Sequence, residues 1–124
     1  GVRRAMLLPV SAPFHCTLMA PAADVMRDAL GQVEMRPPVV PDMANVTAER
    51  ATDPDEIRDL LVQQVTGMVR WRECMLASIG LGVDSFLELG AGKVLAGLAK
   101  RIDPDISAHS AGTPAEIESM LKVL

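Results

Sequence analysis

After residue 38, segments with strand character alternate with segments of helical periodicity, in the order β, α, α, β, α, β, α. This alternation constrains the fold more than any other feature, because strands separated by helices close as parallel pairs with helical crossovers. The helix starts are written out in the sequence. Asp53 can cap, Pro54 suits the first helical position, and Glu56 follows three residues after the cap. Ile57, Leu60, Leu61, Gln64, Val65 and Met68 then share one face, and Gly67 weakens the helix end. A second amphipathic helix is predicted over Trp71–Ile79, closed by Gly80-Leu81-Gly82. Ser85-Phe86-Leu87-Glu88-Leu89 reads as a buried strand, Gly90-Ala91-Gly92 as a tight turn, and Val94–Ile102 as a helix broken by Asp103-Pro104. Ile106–Ala111 reads as a short strand. Thr113-Pro114-Ala115-Glu116 is a second capping signal, opening a helix expected to reach Leu124.

The first third is less regular. Met6–Val10 reads as an edge strand bounded by Pro9 and Pro13. Thr17–Leu30 has helical spacing, with Pro21 tolerable near its start and Gly31 expected as the residue after its end. Pro37 and Pro38 force extended chain, and Val39-Val40 is expected as a short strand ending before Asn45. Three or four short strands would bury a sheet poorly alone, so the chain is expected to be a piece of a larger domain.

Composition narrows the function classes. The chain has 124 residues, enough for one domain or part of one. At 49% hydrophobic it can build a core, and its eight methionines read as core filler. A net charge of −4 without a basic block, and 2% aromatic residues, speak against nucleic-acid binding. No apolar run approaches the ~20 residues of a membrane span. The apolar stretch near the N-terminus is too short for a signal peptide, so a cytoplasmic location is expected. Cys16 and Cys74 lack metal-type spacing and are expected as buried free thiols, with no metal site. The Asn45-Val46-Thr47 sequon is set aside because nothing suggests secretion.

Several constellations could carry chemistry. His15 lies in Ser11-Ala12-Pro13-Phe14-His15-Cys16, on the turn into a helix, where a general base could be aimed into a cleft. Read from spacing alone, it is as readily a helix-start histidine that hydrogen-bonds backbone. Gly90-Ala91-Gly92-Lys93 could bring backbone N–H groups to a phosphate, but it is neither a Walker loop nor a dinucleotide fingerprint. A tight turn with close helix packing is the plainer reading. Cys16 beside His15, and His109 beside Ser110, are neighbours whose side chains diverge. Arg70, Arg72, Lys93, Lys100 and Arg101 are either ordinary solvated surface or a docking patch for an acidic partner. No serine sits in a G-x-S-x-G elbow.

Taken together, Leu8-Pro9-Val10-Ser11-Ala12-Pro13-Phe14-His15-Cys16, Leu18-Met19 and Pro21-Ala22-Ala23 resemble the malonyl-CoA:acyl carrier protein transacylases. So do Ile57–Gln64, Val69-Arg70-Trp71 and Phe86–Leu95, in order and with matching spacing over essentially the whole chain. The resemblance implies an α/β fold. Residues 14–124 would be the C-terminal part of an α/β-hydrolase-like acyltransferase core with parallel strands and crossover helices. Residues 1–13 would be the last strand of a small ferredoxin-like subdomain.

It also implies a transferase of fatty acid synthesis that needs no bound cofactor. A serine attacks malonyl-CoA, and the resulting malonyl ester passes to the phosphopantetheine thiol of acyl carrier protein. His15 matches the family's catalytic histidine. Gln64 matches the residue whose backbone carbonyl orients it, and Phe14 a position lining the acyl pocket, with a bias toward malonyl. Arg70, Arg72, Lys100 and Arg101 become candidate contacts for the acidic carrier. The chain departs from the family's Gly-Pro-Gly in having Gly90-Ala91-Gly92, a small change in a turn. More is at stake upstream, where the family carries its nucleophile, its oxyanion hole and the arginine for the malonyl carboxylate. The remaining N-terminal part of the enzyme is thus an expected partner, and 124 residues alone are expected to be inactive. The rival readings are an acyltransferase segment of a polyketide synthase and a non-catalytic α/β interaction module.

Overall fold

The computed structural model describes Ala5, Leu7 and residues 10–122. The expected edge strand at Met6–Val10 falls largely outside these residues; the last helix, expected to reach Leu124, instead ends at Met120, and residues 121–122 form a turn. The chain divides into two compact units, Gly1–Arg70 and Trp71–Leu124.

The first unit pairs two helices with a small hairpin. A 3₁₀ turn, Thr17–Met19, leads into α1, Ala20–Gly31, with Pro21 in its first turn where no helical N–H is lost. Gly31 is the last helical residue rather than the one beyond it. Gln32 follows at φ −94°, still right-handed, and the end tightens through Gln32 N–H to Ala29 O and Val33 N–H to Leu30 O. No left-handed glycine is needed, because an arginine from the next helix takes up the loose carbonyls. Arg58 Nε donates to Leu30 O at 3.1 Å and its Nη2 to Val33 O at 3.4 Å, while Nη1 bonds Asp55.

Strand β1 is Asp42–Ala44, not Val39-Val40, which are exposed bends beside Pro41. It pairs antiparallel with β2, Glu49–Ala51, in the register Asp42↔Ala51, Met43↔Arg50, Ala44↔Glu49. Neither strand carries the β-branched run that sequence reading looks for. Their inward contribution is two alanines, Ala44 and Ala51, both buried. The loop closes with Ala48 N–H on Ala44 O and Ala48 at φ +60°. Helix α2, Pro54–Thr66, starts where expected: Asp53 accepts from the N–H groups of Asp55 and Glu56 at 3.0 and 2.9 Å. Its most buried residue is Val62, outside the face expected from periodicity.

In the second unit, α3 (Trp71–Gly80) and α4 (Val94–Ile102) pack on a parallel pair, β3 (Ser85–Leu89) and β4 (Ser107–Ala111). β3–α4–β4 is the predicted crossover. Met75, Ala99, Ile106 and Ala108 form the core, flanked by Trp71, Ile79, Phe86, Ala96 and Ile102. The two alanines let a helix approach the sheet closely. β3 is half-buried rather than buried, since among the described residues it has one neighbour only. The methionines are not uniformly core: Met75 is buried, whereas Met26 and Met68 are exposed.

The last helix, α5 (Pro114–Met120), opens on a full capping box, in which Thr113 Oγ1 accepts from Glu116 N–H. Glu116 Oε2 in return accepts from Gly112 N–H, Thr113 N–H and the Thr113 hydroxyl. These bonds, the Gly112 N–H first and the Thr113 hydroxyl next, hold the Glu116 carboxyl below its ordinary value of 4.5 against an opposing effect of desolvation. A carboxyl depressed in the folded state stabilises fully above its unfolded value and ceases to do so as pH falls through the folded one. Protection of the amides at the start of α5, taken relative to the unstructured exchange rate at each pH, should therefore fall as pH drops below 4.5, and Glu116→Gln should flatten that response.

Candidate functional site

His15 is held by two local features and one distant one. Its backbone is left-handed, φ +58°, a conformation that reverses the chain between Pro13 and the 3₁₀ turn. A non-glycine residue there costs roughly 1–3 kcal/mol, and such strain gathers at functional positions. The turn is braced by Phe14 N–H on Ala12 O, by Met19 N–H on Cys16 O, and by the Cys16 thiol on Pro13 O at 3.1 Å. Cys16 and His15 thus face different partners and do not form a thiol–imidazole pair. Both cysteines are free thiols, with Cys74 buried but Cys16 only half-buried.

The distant feature is the end of α2. Gly67 N–H closes the helix on Gln63 O at 2.8 Å. The next carbonyl, that of Gln64, lies 3.0 Å from His15 Nδ1, across 49 residues of sequence. A carbonyl can only accept, so Nδ1 carries the proton and Nε2 of the neutral ring keeps its lone pair. The side chain of Gln64 also lies here. Its Nε2 donates to Gly67 O at 3.1 Å and stands 3.5 Å from His15 Nδ1. With two donors meeting at 3.5 Å and a donor–acceptor pair at 3.0 Å, the carbonyl bond is the one made. Phe14, the residue before His15, is 59% exposed.

The other singled-out residues lie apart in kind. Arg70 is half-buried, and its Nη1 donates to Thr47 O at 2.6 Å while its N–H bonds Asn45 O at 3.1 Å. Much of its bonding capacity therefore goes to the β1–β2 loop. Arg72 is exposed on α3, and Lys100 and Arg101 are exposed in the last turn of α4, where cations suit the dipole. At Gly90-Ala91-Gly92 both glycines are left-handed, with φ +136° and +99°. The N-terminus of α4 is already occupied by a carboxylate, since Ala96 N–H donates to Glu88 Oε2 at 2.9 Å. A tight turn is therefore its role here. Gly112 abuts it so closely that a Cβ would stand 2.5 Å from Gly90 O.

Sequence reading weighed His109 with Ser110 and missed Ser107, two residues away on the same face of β4. Its hydroxyl lies 2.7 Å from His109 Nε2. The period of two in a strand was the available signal. Among the described residues, no three His, Cys, Asp or Glu side chains gather as a metal site requires, and no helix is long and apolar enough to cross a membrane.

The chain resembles known proteins over nearly its whole length. No family model matches the chain. The malonyl CoA-acyl carrier protein transacylase of Escherichia coli K12 is 39% identical over 123 residues, which is 99% of this chain and 40% of that protein. The crystal structure of an acyl-carrier-protein S-malonyltransferase from Bartonella henselae superposes with a TM-score of 0.88 at 54% identity, over 98% of this chain and 38% of that one. The chain is a relative of the malonyl-CoA:acyl carrier protein transacylases. It spans about 40% of the length of the curated relatives it matches and corresponds to their C-terminal portion. A malonyl-transacylase solved in complex with its type II polyketide synthase acyl-carrier protein is also similar, at 38% identity and a TM-score of 0.88, over 100% of this chain and 40% of that one.

The different settings of the arginines can be read in stability. Arg70→Ala should destabilise the first unit by roughly 1–3 kcal/mol, as loss of a charged hydrogen-bond donor does. Arg72→Ala should stay within ~0.5 kcal/mol. Urea unfolding of the two variants distinguishes them.

Proposed function

We propose that this chain is the C-terminal part of an enzyme that moves a malonyl group from malonyl-CoA to the phosphopantetheine thiol of an acyl carrier protein. The observation that supports it is the imidazole of His15 held through Nδ1 on Gln64 O, which leaves Nε2 as the working base. The nucleophile is a serine contributed from outside these residues. In the first half-reaction His15 Nε2 takes the serine proton as the oxygen attacks the thioester carbonyl, then gives it to the departing CoA thiolate. In the second half-reaction Nε2 takes the proton of the carrier's thiol. That sulfur attacks the malonyl ester, the carbon–oxygen bond breaks, and the proton returns to the serine. No bound cofactor is required by this sequence of steps. Gln64 acts as orienter through its carbonyl, and Phe14 supplies a wall beside the acyl group that disfavours branched units. Arg72, Lys100 and Arg101, with Arg70, offer positive charge to an acidic carrier. The remaining N-terminal part of the enzyme completes the site, and residues 1–13 belong with a small ferredoxin-like subdomain. The reading is of a cytoplasmic enzyme of fatty acid synthesis.

A second reading keeps the chemistry and changes the carrier. The similarity to a transacylase bound to a type II polyketide acyl-carrier protein supports use with such a carrier as well.

In the protein that carries this chain, His15→Ala should lower malonyl transfer by ~10²-fold or more. A negligible effect would favour an interaction module. Charge reversal at Arg72, Lys100 and Arg101 should raise KM for the carrier and leave malonyl-CoA hydrolysis unchanged, and equal kinetics with carrier would remove these residues from the docking surface.

A further inference from the structure

The carbonyl and the side-chain amide of Gln64 present opposite demands to the same ring nitrogen. Gln64 O, 3.0 Å from His15 Nδ1, requires a proton on that nitrogen. Gln64 Nε2, 3.5 Å from it, could instead donate to an unprotonated Nδ1. That second arrangement would place the ring proton on Nε2 and remove the lone pair from the atom that must act as base. What fixes the amide at that distance is Gly67, whose carbonyl accepts one of the two N–H groups of Gln64 Nε2 at 3.1 Å. The backbone at Gly67 runs close beneath the hairpin loop. A Cβ there would stand 2.7 Å from Val46 Cγ2 and 2.9 Å from Gln63 O, so any side chain displaces this turn. Gln64 Oε1 is buried without a partner, so the amide is anchored through its nitrogen alone.

We propose that Gly67 is a positioning residue: its carbonyl sequesters the Gln64 amide and so keeps His15 in the tautomer with its proton on Nδ1. This rests on the reading of His15 as the base and deepens it. Gly67 touches neither substrate nor the reacting atoms. It acts by keeping the competing donor at 3.5 Å, so that the helix-end carbonyl at 3.0 Å makes the shorter bond to the imidazole.

The tautomer can be read directly from the imidazole ¹⁵N shifts of the full chain at pH ~8.5, about two units above the ordinary histidine value. His109 serves as internal reference. In the parent chain the His15 ring should carry its proton on Nδ1. Gly67→Ala should move the tautomer ratio toward Nε2–H by about five- to tenfold, the equivalent of one hydrogen bond. Gln64→Met keeps the backbone carbonyl and deletes the competing amide. It should leave the parent tautomer in place and, combined with Gly67→Ala, restore it. Should Gly67→Ala not fold, Gly67→Ala with Val46→Ala removes the nearer collision and leaves the one with Gln63 O, so the same ratio is measured there. An unchanged tautomer in the glycine variants overturns the role of Gly67 and leaves the His15–Gln64 reading intact. A shift that Gln64→Met fails to reverse overturns it too, since the amide is then not the cause. A parent ring already protonated on Nε2 overturns the base assignment itself.

Discussion

The hydrogen bond between His15 Nδ1 and Gln64 O depends on where α2 stops. A helix leaves its last carbonyls without N–H partners, and supplying them with other partners is an obligation of every fold. Here one of them is satisfied by an imidazole rather than by water or a cap. A carboxylate in that place would add a full charge and would itself bind a proton at low pH. A carbonyl orients the ring equally well, contributes only the partial charge of the helix end, and never competes for the proton. The register of α2 must then be right to the residue. Asp53 and Pro54 fix its start and Gly67 its finish, so Gln64 falls where the turn around His15 can reach it. Arg58 from the same helix ties down the end of α1, so both helices that frame the turn are anchored through α2.

The second unit solves a similar problem at the opposite end of a helix. α4 begins directly after a glycine turn, with Lys93 offering no side-chain cap. Glu88 on the preceding strand reaches its third amide instead. Placing the cap on β3 couples the helix to the sheet, which a local Ser or Asp would not do. It also fills the electropositive spot that in other α/β proteins holds a phosphate. The left-handed Gly90 and Gly92 give the chain the short path this needs.

Legibility followed the range of the interactions. The caps at Asp53 and Thr113 are encoded within four residues and were readable to the residue. The crossover from Ser85 to Ala111 and the breaks near Gly82 and at Asp103-Pro104 were readable to within a residue or two, the second strand starting at Ser107 rather than Ile106. The β1–β2 hairpin was not readable, because its strands are three residues each and bury only Ala44 and Ala51, which carry no strand signature. Val39-Val40 had that signature, yet it lies among Pro37, Pro38 and Pro41, which supply no N–H for a ladder. Val62 was missed for a related reason: periodicity marks the wide apolar stripe of α2 and does not say which edge of it the hairpin and α1 will cover. The resemblance pointed to His15 and Gln64 by number. The physical reason for pairing them appears only when the turn and the helix end are brought together.

That distance in sequence also explains the strain at His15. A histidine inside a helix would have its side-chain direction set by the helix, and one in a relaxed loop would have none set at all. The left-handed backbone at His15 sends Phe14, His15 and Cys16 to three different surroundings within a single turn. Local bonds hold the turn itself, at Ala12, Pro13 and Cys16. They fix the backbone but leave the imidazole free to rotate. The last degree of freedom is removed by a group that the fold alone delivers, 49 residues away. Strain stored locally and orientation supplied remotely are both needed, because either alone would leave Nε2 without a defined direction. Loss of the α2 end would therefore disable the imidazole even in a chain whose turn at His15 was intact.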